Sequence, residues 1–139
     1  MVVDIKLTHP LAKLPTYAHK TDGAMDLTAV SVSYVDNKAI YDTGVAISIP
    51  PGYVGLLFPR SSIIKYNQRL ANSVGVVDAN FLNSIKVVFD FDDNCGTMYK
   101  VGDRIAQLMI IPRPEITLRQ VEELGTSERN LGGFGSTGT

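Results

Sequence analysis

The chain has a single cysteine, Cys95, in 139 residues. One thiol cannot close an intramolecular disulfide, which excludes a disulfide-stapled secreted domain and fits a reducing compartment. Histidine is equally scarce. His9 and His19 have no ligand cluster near them in the sequence, which argues against a structural zinc site. Neither sign of charge dominates: 13 basic residues face 14 acidic ones, for a net charge of −1. Proteins that hold nucleic acid by charge carry a clear basic excess, so that class is excluded. No apolar run approaches the roughly 18 residues of a membrane helix. Asp4 and Lys6 also interrupt the N-terminal apolar residues where a signal peptide would have its core. These absences predict a soluble, cytoplasmic protein with neither nucleic acid nor membrane as partner. Any phosphate chemistry then rests on a few well-placed cations.

What is present describes one folded domain. Apolar residues make up 45% and charged residues 19%, a globular balance. The length fits a single core, spanning residues 1–139 without a dividing linker. The periodicity is that of strands. Val3, Ile5 and Leu7 alternate with polar neighbours, as do Val45, Ile47 and Ile49, then Val54, Leu56 and Phe58, then Ile85, Val87, Phe89 and Phe91. Each set is expected to place its apolar side chains on one face. Turn residues recur between them at Asp36-Asn37, Asp42-Thr43-Gly44, Pro50-Pro51-Gly52, Asp93-Asn94 and Gly102-Asp103. The pattern predicts an all-β antiparallel sandwich, jelly roll or barrel. One short helix is expected after Pro59-Arg60, capped by Ser61 or Ser62 and ending near Asn67. A second helical turn is expected near Val121 to Leu124.

Five segments carry residues suited to chemistry, and each also has a plain structural reading. The tail from Arg129 through Gly132-Gly133-Phe134-Gly135-Ser136-Thr137 to Thr139 is either an unstructured terminus or a glycine-rich cover for a nucleotide. In the second reading Phe134 offers one aromatic face, the successive amides of Gly135, Ser136 and Thr137 form an anion nest, and Arg129 adds a fixed charge. Pro59-Arg60-Ser61-Ser62 is either a strand running into a capped helix or a phosphate site made from a guanidinium, hydroxyls and free amides. The stretch from Asn72 to Lys86 reads as a β-hairpin with Asp78 and Asn80 in or near its turn. A carboxylate entering that hairpin could instead orient a water while the hairpin backbone reads a base edge. Gln107 is a polar amide in the otherwise apolar strand after Gly102-Asp103-Arg104, and either the fold or a ligand must satisfy it. Asp22 to Leu27 is a turn followed by a strand, with Asp26 in it.

Taken in order, these five segments resemble the five motifs of the trimeric dUTPase family, from Asp22 to Gly138. The resemblance implies a β jelly roll or distorted β-barrel with one short helix and a flexible glycine-rich C-terminal arm. It implies Mg²⁺-dependent hydrolysis of dUTP to dUMP and pyrophosphate by a homotrimer whose active sites draw on more than one subunit. Asp78 would hold the 3′-hydroxyl or prepare the attacking water, and Asp26 would lie near the water and metal region. Arg60, Ser61, Ser62 and Gln107 would contact phosphates. Asn72, Gly75, Val77 and Lys86 belong to the hairpin that would recognise uracil, and Phe81 would lie against the sugar. Residues 129–139 would form the lid, with Arg129, Ser136 and Thr137 on the γ-phosphate, Gly135 also binding substrate, and Phe134 stacked on uracil. No dedicated protein cage for the metal is implied, because Mg²⁺ prefers phosphate oxygens and water.

Four positions depart from the family pattern. Gly23-Ala24 replaces the usual Ala-Gly, Phe81 replaces the usual hairpin Tyr, and Asn83 stands where a Gly is common. Phe81 retains the ring that would crowd a ribose 2′-hydroxyl. A dCTP deaminase, the nearest competing enzyme, needs a carboxylate in the strand after the hairpin, where this chain has Val88. A non-catalytic regulatory protein could also keep these motifs, and a structural jelly roll such as a coat protein would account for the strands. The coat protein leaves Arg60, Gln107 and the glycine-rich tail without a purpose.

Overall fold

A computed structural model describes residues 1–93 and 96–138. Cys95, the Asn94 half of the expected Asp93-Asn94 turn, and Thr139 at the end of the tail lie outside the described residues. The strands are β1 (Asp4–Leu7), β2 (Met25–Thr28), β3 (Ser31–Val35), β4 (Lys38–Ser48), β5 (Tyr53–Pro59), β6 (Arg69–Leu70), β7 (Gly75–Val77), β8 (Ser84–Asp90) and β9 (Arg104–Pro112). They form two antiparallel sheets. One runs β1-β4-β8-β6 with β3 also on β4, and the other runs β2-β9-β5-β7. This is a β jelly-roll architecture, one of the three that the strand pattern leaves open and the one that the family resemblance implies. No helix among the described residues is long and apolar enough to cross a membrane.

The core lies between the sheets. Tyr41, Val87 and Phe89 from the first meet Leu27, Ile105 and Leu108 from the second, all fully buried. The alternating sets in β4 and β8 point inward as expected. In β5 the inward residues are instead Gly55 and Leu57, while Val54, Leu56 and Phe58 form the outer, half-buried face. Both faces of this strand are apolar, so alternation alone does not say which one meets the core. Gly55 allows the close approach: a Cβ there would stand 2.6 Å from Ile49 Cδ1 and 3.0 Å from Val77 Cβ.

Asp42-Thr43-Gly44 is no turn between strands. It lies inside the 11-residue β4, where the register against β8 shifts between Asp42 and Ala46. The Asp42 carboxylate accepts the Gly44 N–H at 2.8 Å and the Ser84 hydroxyl, so the chemistry of a turn is used to bulge a strand. Gly44 has φ +65°, and a Cβ there would meet Ala12 Cβ at 2.8 Å and His9 Cβ at 2.9 Å.

The expected helix is a single 3₁₀ turn, Ser61–Lys65. Its N-cap is Arg60 and no side chain caps it, so neither Ser61 nor Ser62 spends its hydroxyl on the helix end. No helix forms at Val121 to Leu124. Val121 and Leu124 are exposed, and a lone turn without a surface to pack against does not repay its nucleation.

Candidate active site

The predicted residues gather in three places. The first surrounds the end of β5. Asp26 on β2, Gln107 on β9 and Phe58 on β5 share one rung of the second sheet, because Gln107 pairs with Asp26 on one side and Phe58 on the other. That rung delivers Arg60, two residues past Phe58, to the Asp26 carboxylate. Arg60 Nε donates to Asp26 Oδ1 at 2.8 Å, and Arg104 Nη1 donates to Oδ2 at 3.0 Å. Arg60 Nη1 also donates to Ser62 Oγ at 3.2 Å. Gln107 Nε2 donates to the Pro59 carbonyl at 2.9 Å, so the fold supplies a partner for the strand amide while its second N–H hydrogen remains. Ser61 is exposed beside this cluster.

Two guanidinium groups on one carboxylate leave a net positive charge at the edge of the sheet. Asp26 is largely shielded, with 13% side-chain exposure against 23% for Arg60 and 53% for Arg104. The Nε and Nη2 edge of Arg60 faces Asp26 and Nη1 reaches Ser62, and Nη2 keeps a second N–H hydrogen for an anion. Arg104 went without a role in the sequence. The signal was its place directly after Gly102-Asp103, but its partner is 78 residues away.

The second place is a cavity of about 270 Å³ between β7 and the start of β8. Asn72, Gly75, Val77, Phe81 and Lys86, all predicted, line it together with Asn83. The expected hairpin is only partly one. The Phe81 N–H donates to the Asp78 carbonyl at 3.0 Å, which closes the turn. The two arms then part: β7 pairs with β5 in one sheet, and β8 pairs with β4 and β6 in the other. The cavity is the opening between them. Asn83 uses its own Oδ1 to accept the Ser84 N–H at 2.8 Å, which fixes the tip where the family commonly has a Gly. Val88 pairs with Ile40, an apolar rung with no carboxylate.

Asp78 and Arg60 are not brought together within one chain. Val77 pairs with Gly55 near the start of β5, whereas Arg60 follows its end. Five residues of strand separate the two positions, about 16 Å at the usual ~3.3 Å rise.

The third place is the tail. Arg129, Phe134, Gly135, Ser136 and Thr137 are all exposed. Its backbone hydrogen bonds are local single turns, Gly132 N–H to Arg129 O at 2.9 Å and Ser136 N–H to Gly133 O at 3.1 Å among them.

Known proteins resemble this chain in sequence and fold. The family profile described as dUTPase matches residues 11–138. A deoxyuridine 5′-triphosphate nucleotidohydrolase of Clostridium kluyveri is 36% identical over 138 residues, covering 97% of this chain and 96% of its own. One from Wolbachia pipientis is 38% identical, covering 96% and 92%. Among solved structures, the dUTPase of Staphylococcus bacteriophage 80alpha with dUpNHpp superposes with a TM-score of 0.86 at 31% identity, covering 99% of each chain. A mutant dUTPase of phage phi11 of S. aureus, described as revealing the coordination of a structural Mg(II) ion, matches with a TM-score of 0.73 at 29% identity, covering 88% of this chain and 98% of its own. With its motifs in order and nearly its whole length matched, the chain belongs to the dUTPase family.

Proposed function

We propose that the chain hydrolyses dUTP to dUMP and pyrophosphate by water attack on the α-phosphate, which removes dUTP from the nucleotide pool and supplies dUMP for dTMP synthesis. The observation that carries this reading is the Asp26–Arg60–Arg104 cluster beside Ser62. Phosphoryl transfer asks the protein mainly for alignment and charge neutralisation. Arg60, Ser61, Ser62 and Gln107 meet the phosphates, and Asp26 orients Arg60 near the reacting water. Uracil enters the cavity walled by Asn72, Gly75, Val77 and Lys86, with the sugar against Phe81. Asp78, next in sequence to the cavity residue Val77, holds the 3′-hydroxyl or aligns the water.

Mg²⁺, when bound, neutralises charge on the phosphate oxygens. The donor set fits an ion held chiefly by phosphates and water. No group of three or more His, Cys, Asp or Glu side chains converges among the described residues, and Asp26 is already engaged by two guanidinium groups.

The protein works as a cytoplasmic homotrimer, each chain one domain over residues 1–139. Two features support the assembly. Arg60 and Asp78 stand at opposite ends of β5, so one chain does not complete the site alone. The outer face of the second sheet is also apolar, with Val54, Leu56, Val76, Met109 and Ile111 in register across β7, β5 and β9. Residues 129–139 then act as the lid. Arg129, Ser136 and Thr137 hold the γ-phosphate, Gly135 lets the backbone approach, and Phe134 stacks on the base.

Pyrophosphate release from dUTP with Mg²⁺ tests the reading. Asp78→Asn is expected to lower kcat on the order of 10²–10⁴-fold while the melting temperature holds. A wild-type protein that released no pyrophosphate from dUTP would overturn it.

A further inference from the structure

Strands β4 and β8 carry two oppositely charged rungs on one face, and the two behave differently. Lys38 stands opposite Asp90, and Asp42 stands opposite Lys86. The first rung closes as an ion pair between the Lys38 ammonium and the Asp90 carboxylate. The second does not. Among the described residues Lys86 makes neither an ion pair nor a side-chain hydrogen bond. Opposite charges across a rung ordinarily attract, so the difference has a local cause. Asp42 begins the bulge of β4, and its Oδ1 accepts the Gly44 N–H at 2.8 Å and the Ser84 hydroxyl. The bulge takes the carboxylate and leaves the ammonium over. Lys86 is exposed, and it is the one charged residue among the described residues that line the cavity between β7 and β8. That cavity therefore has a cation with three donor hydrogens on a flexible stem and no carboxylate lining it.

We propose that the Lys86 ammonium selects the base, donating to the carbonyl oxygen at position 4 of uracil. With the sugar against Phe81, beside the turn, the base lies toward Lys86, five residues further along the chain. Uracil presents an acceptor at position 4, as thymine does, whereas cytosine presents an amino group there. An ammonium set against that amino group meets a donor in place of an acceptor, which penalises the wrong base as well as favouring the right one. The base is remote from the phosphorus under attack. The contact is therefore equal in ground and transition states and acts on KM. The inference rests on the reading that this cavity receives the base.

The test uses the full-length chain and Lys86→Met, which keeps an unbranched stem and removes the charge. Mg²⁺-dependent pyrophosphate release from dUTP, dTTP and dCTP is measured beside thermal unfolding. Lys86→Met is expected to melt with the wild type and to lose about tenfold in kcat/KM for dUTP, through a raised KM with kcat kept. dTTP should lose the same factor and dCTP none, so the preference for dUTP over dCTP narrows about tenfold while that over dTTP holds. Lys86→Arg, which restores a cationic donor, should recover part of the lost preference. An equal loss with all three nucleotides would overturn the proposal, because it marks a contact to phosphate or sugar. So would a lowered melting temperature, which marks Lys86 as structural. An unaltered dUTP-to-dCTP ratio would overturn it too, and would leave dUTP hydrolysis and the base cavity standing. A wild-type protein that turned over dUTP and dCTP alike would remove the base cavity itself, and the proposal with it.

Discussion

Between β1 and β9 the apolar strand residues find neighbours, whereas from Arg113 to Gly138 they find few. Ile105, Ala106 and Leu108 are sealed between two sheets, while Leu118, Leu124, Leu131 and Phe134 stand in solvent. The hydrogen bonds differ in the same way. Those of the sheets join residues far apart in sequence, and those from Asn130 to Gly138 close turns of three residues. Burial is what fixes a chain in one conformation against its entropy, and the tail has almost none to draw on. What positions the tail must come from a ligand or another copy of the chain. Stability and turnover should therefore separate along this boundary.

The sharpest way to break that separation is to remove the tail. Deleting Gly132 to Thr139 should leave the melting temperature unchanged and lower kcat/KM on the order of 10³-fold, through loss of phosphate contacts and a stacked ring. Unchanged turnover in the truncated chain would show that the tail is no lid. The converse change lies in the sheets. Gly44→Ala forces a side chain into left-handed backbone and against Ala12 and His9. Those two effects together should cost about 2–5 kcal/mol in denaturant unfolding, with turnover per folded molecule kept. Phe134→Ala returns to the tail with a smaller effect. It should weaken dUTP binding by about 1–3 kcal/mol in titrations with a non-hydrolysable analogue, without a change in melting.

An effect of similar size concerns the core network, and it shows itself in alkali. Burial, first of all, raises the Tyr41 pKa from 10.0 to about 12. The folded state thus favours the protonated phenol. Its contribution is complete below pH 10 and is lost as pH rises through about 12. Unfolding followed from pH 9 upward should show that decline in the wild type, and Tyr41→Phe should lack its share of it. Phe at this position leaves Gln68 Nε2 and the Tyr99 carbonyl without their shared partner, so its stability at neutral pH should be about 1–3 kcal/mol lower.

Much of the fold was legible in the alternating strands, and most of the second cavity in the stretch from Asn72 to Lys86. What escaped were features set by distant partners. Val54, Leu56 and Phe58 alternate as a core face would, but the other side of β5 meets the core. Asp42-Thr43-Gly44 has the composition of a turn and serves as a bulge, because β8 and the His9–Ala12 segment pack around it. The local pattern from 72 to 86 showed two arms and could not show that they enter different sheets. Arg104 was invisible as a site residue, since it is defined by Asp26, far away in the sequence. Side-chain identity is written locally, whereas partnership across a sheet depends on the whole register.

That register has a consequence for how the protein is made. β9 is the only described strand that joins β2 to β5, and its Gln107 rung is what sets Asp26 beside Arg60. While the ribosome is still synthesising the first hundred or so residues, Arg60 has been made but its counter-charge has no sheet to hold it in place. The nucleotide site is thus among the last features to be completed on a nascent chain, after a slow, long-range strand insertion. A partly synthesised or prematurely halted chain would have no means of capturing a deoxynucleotide.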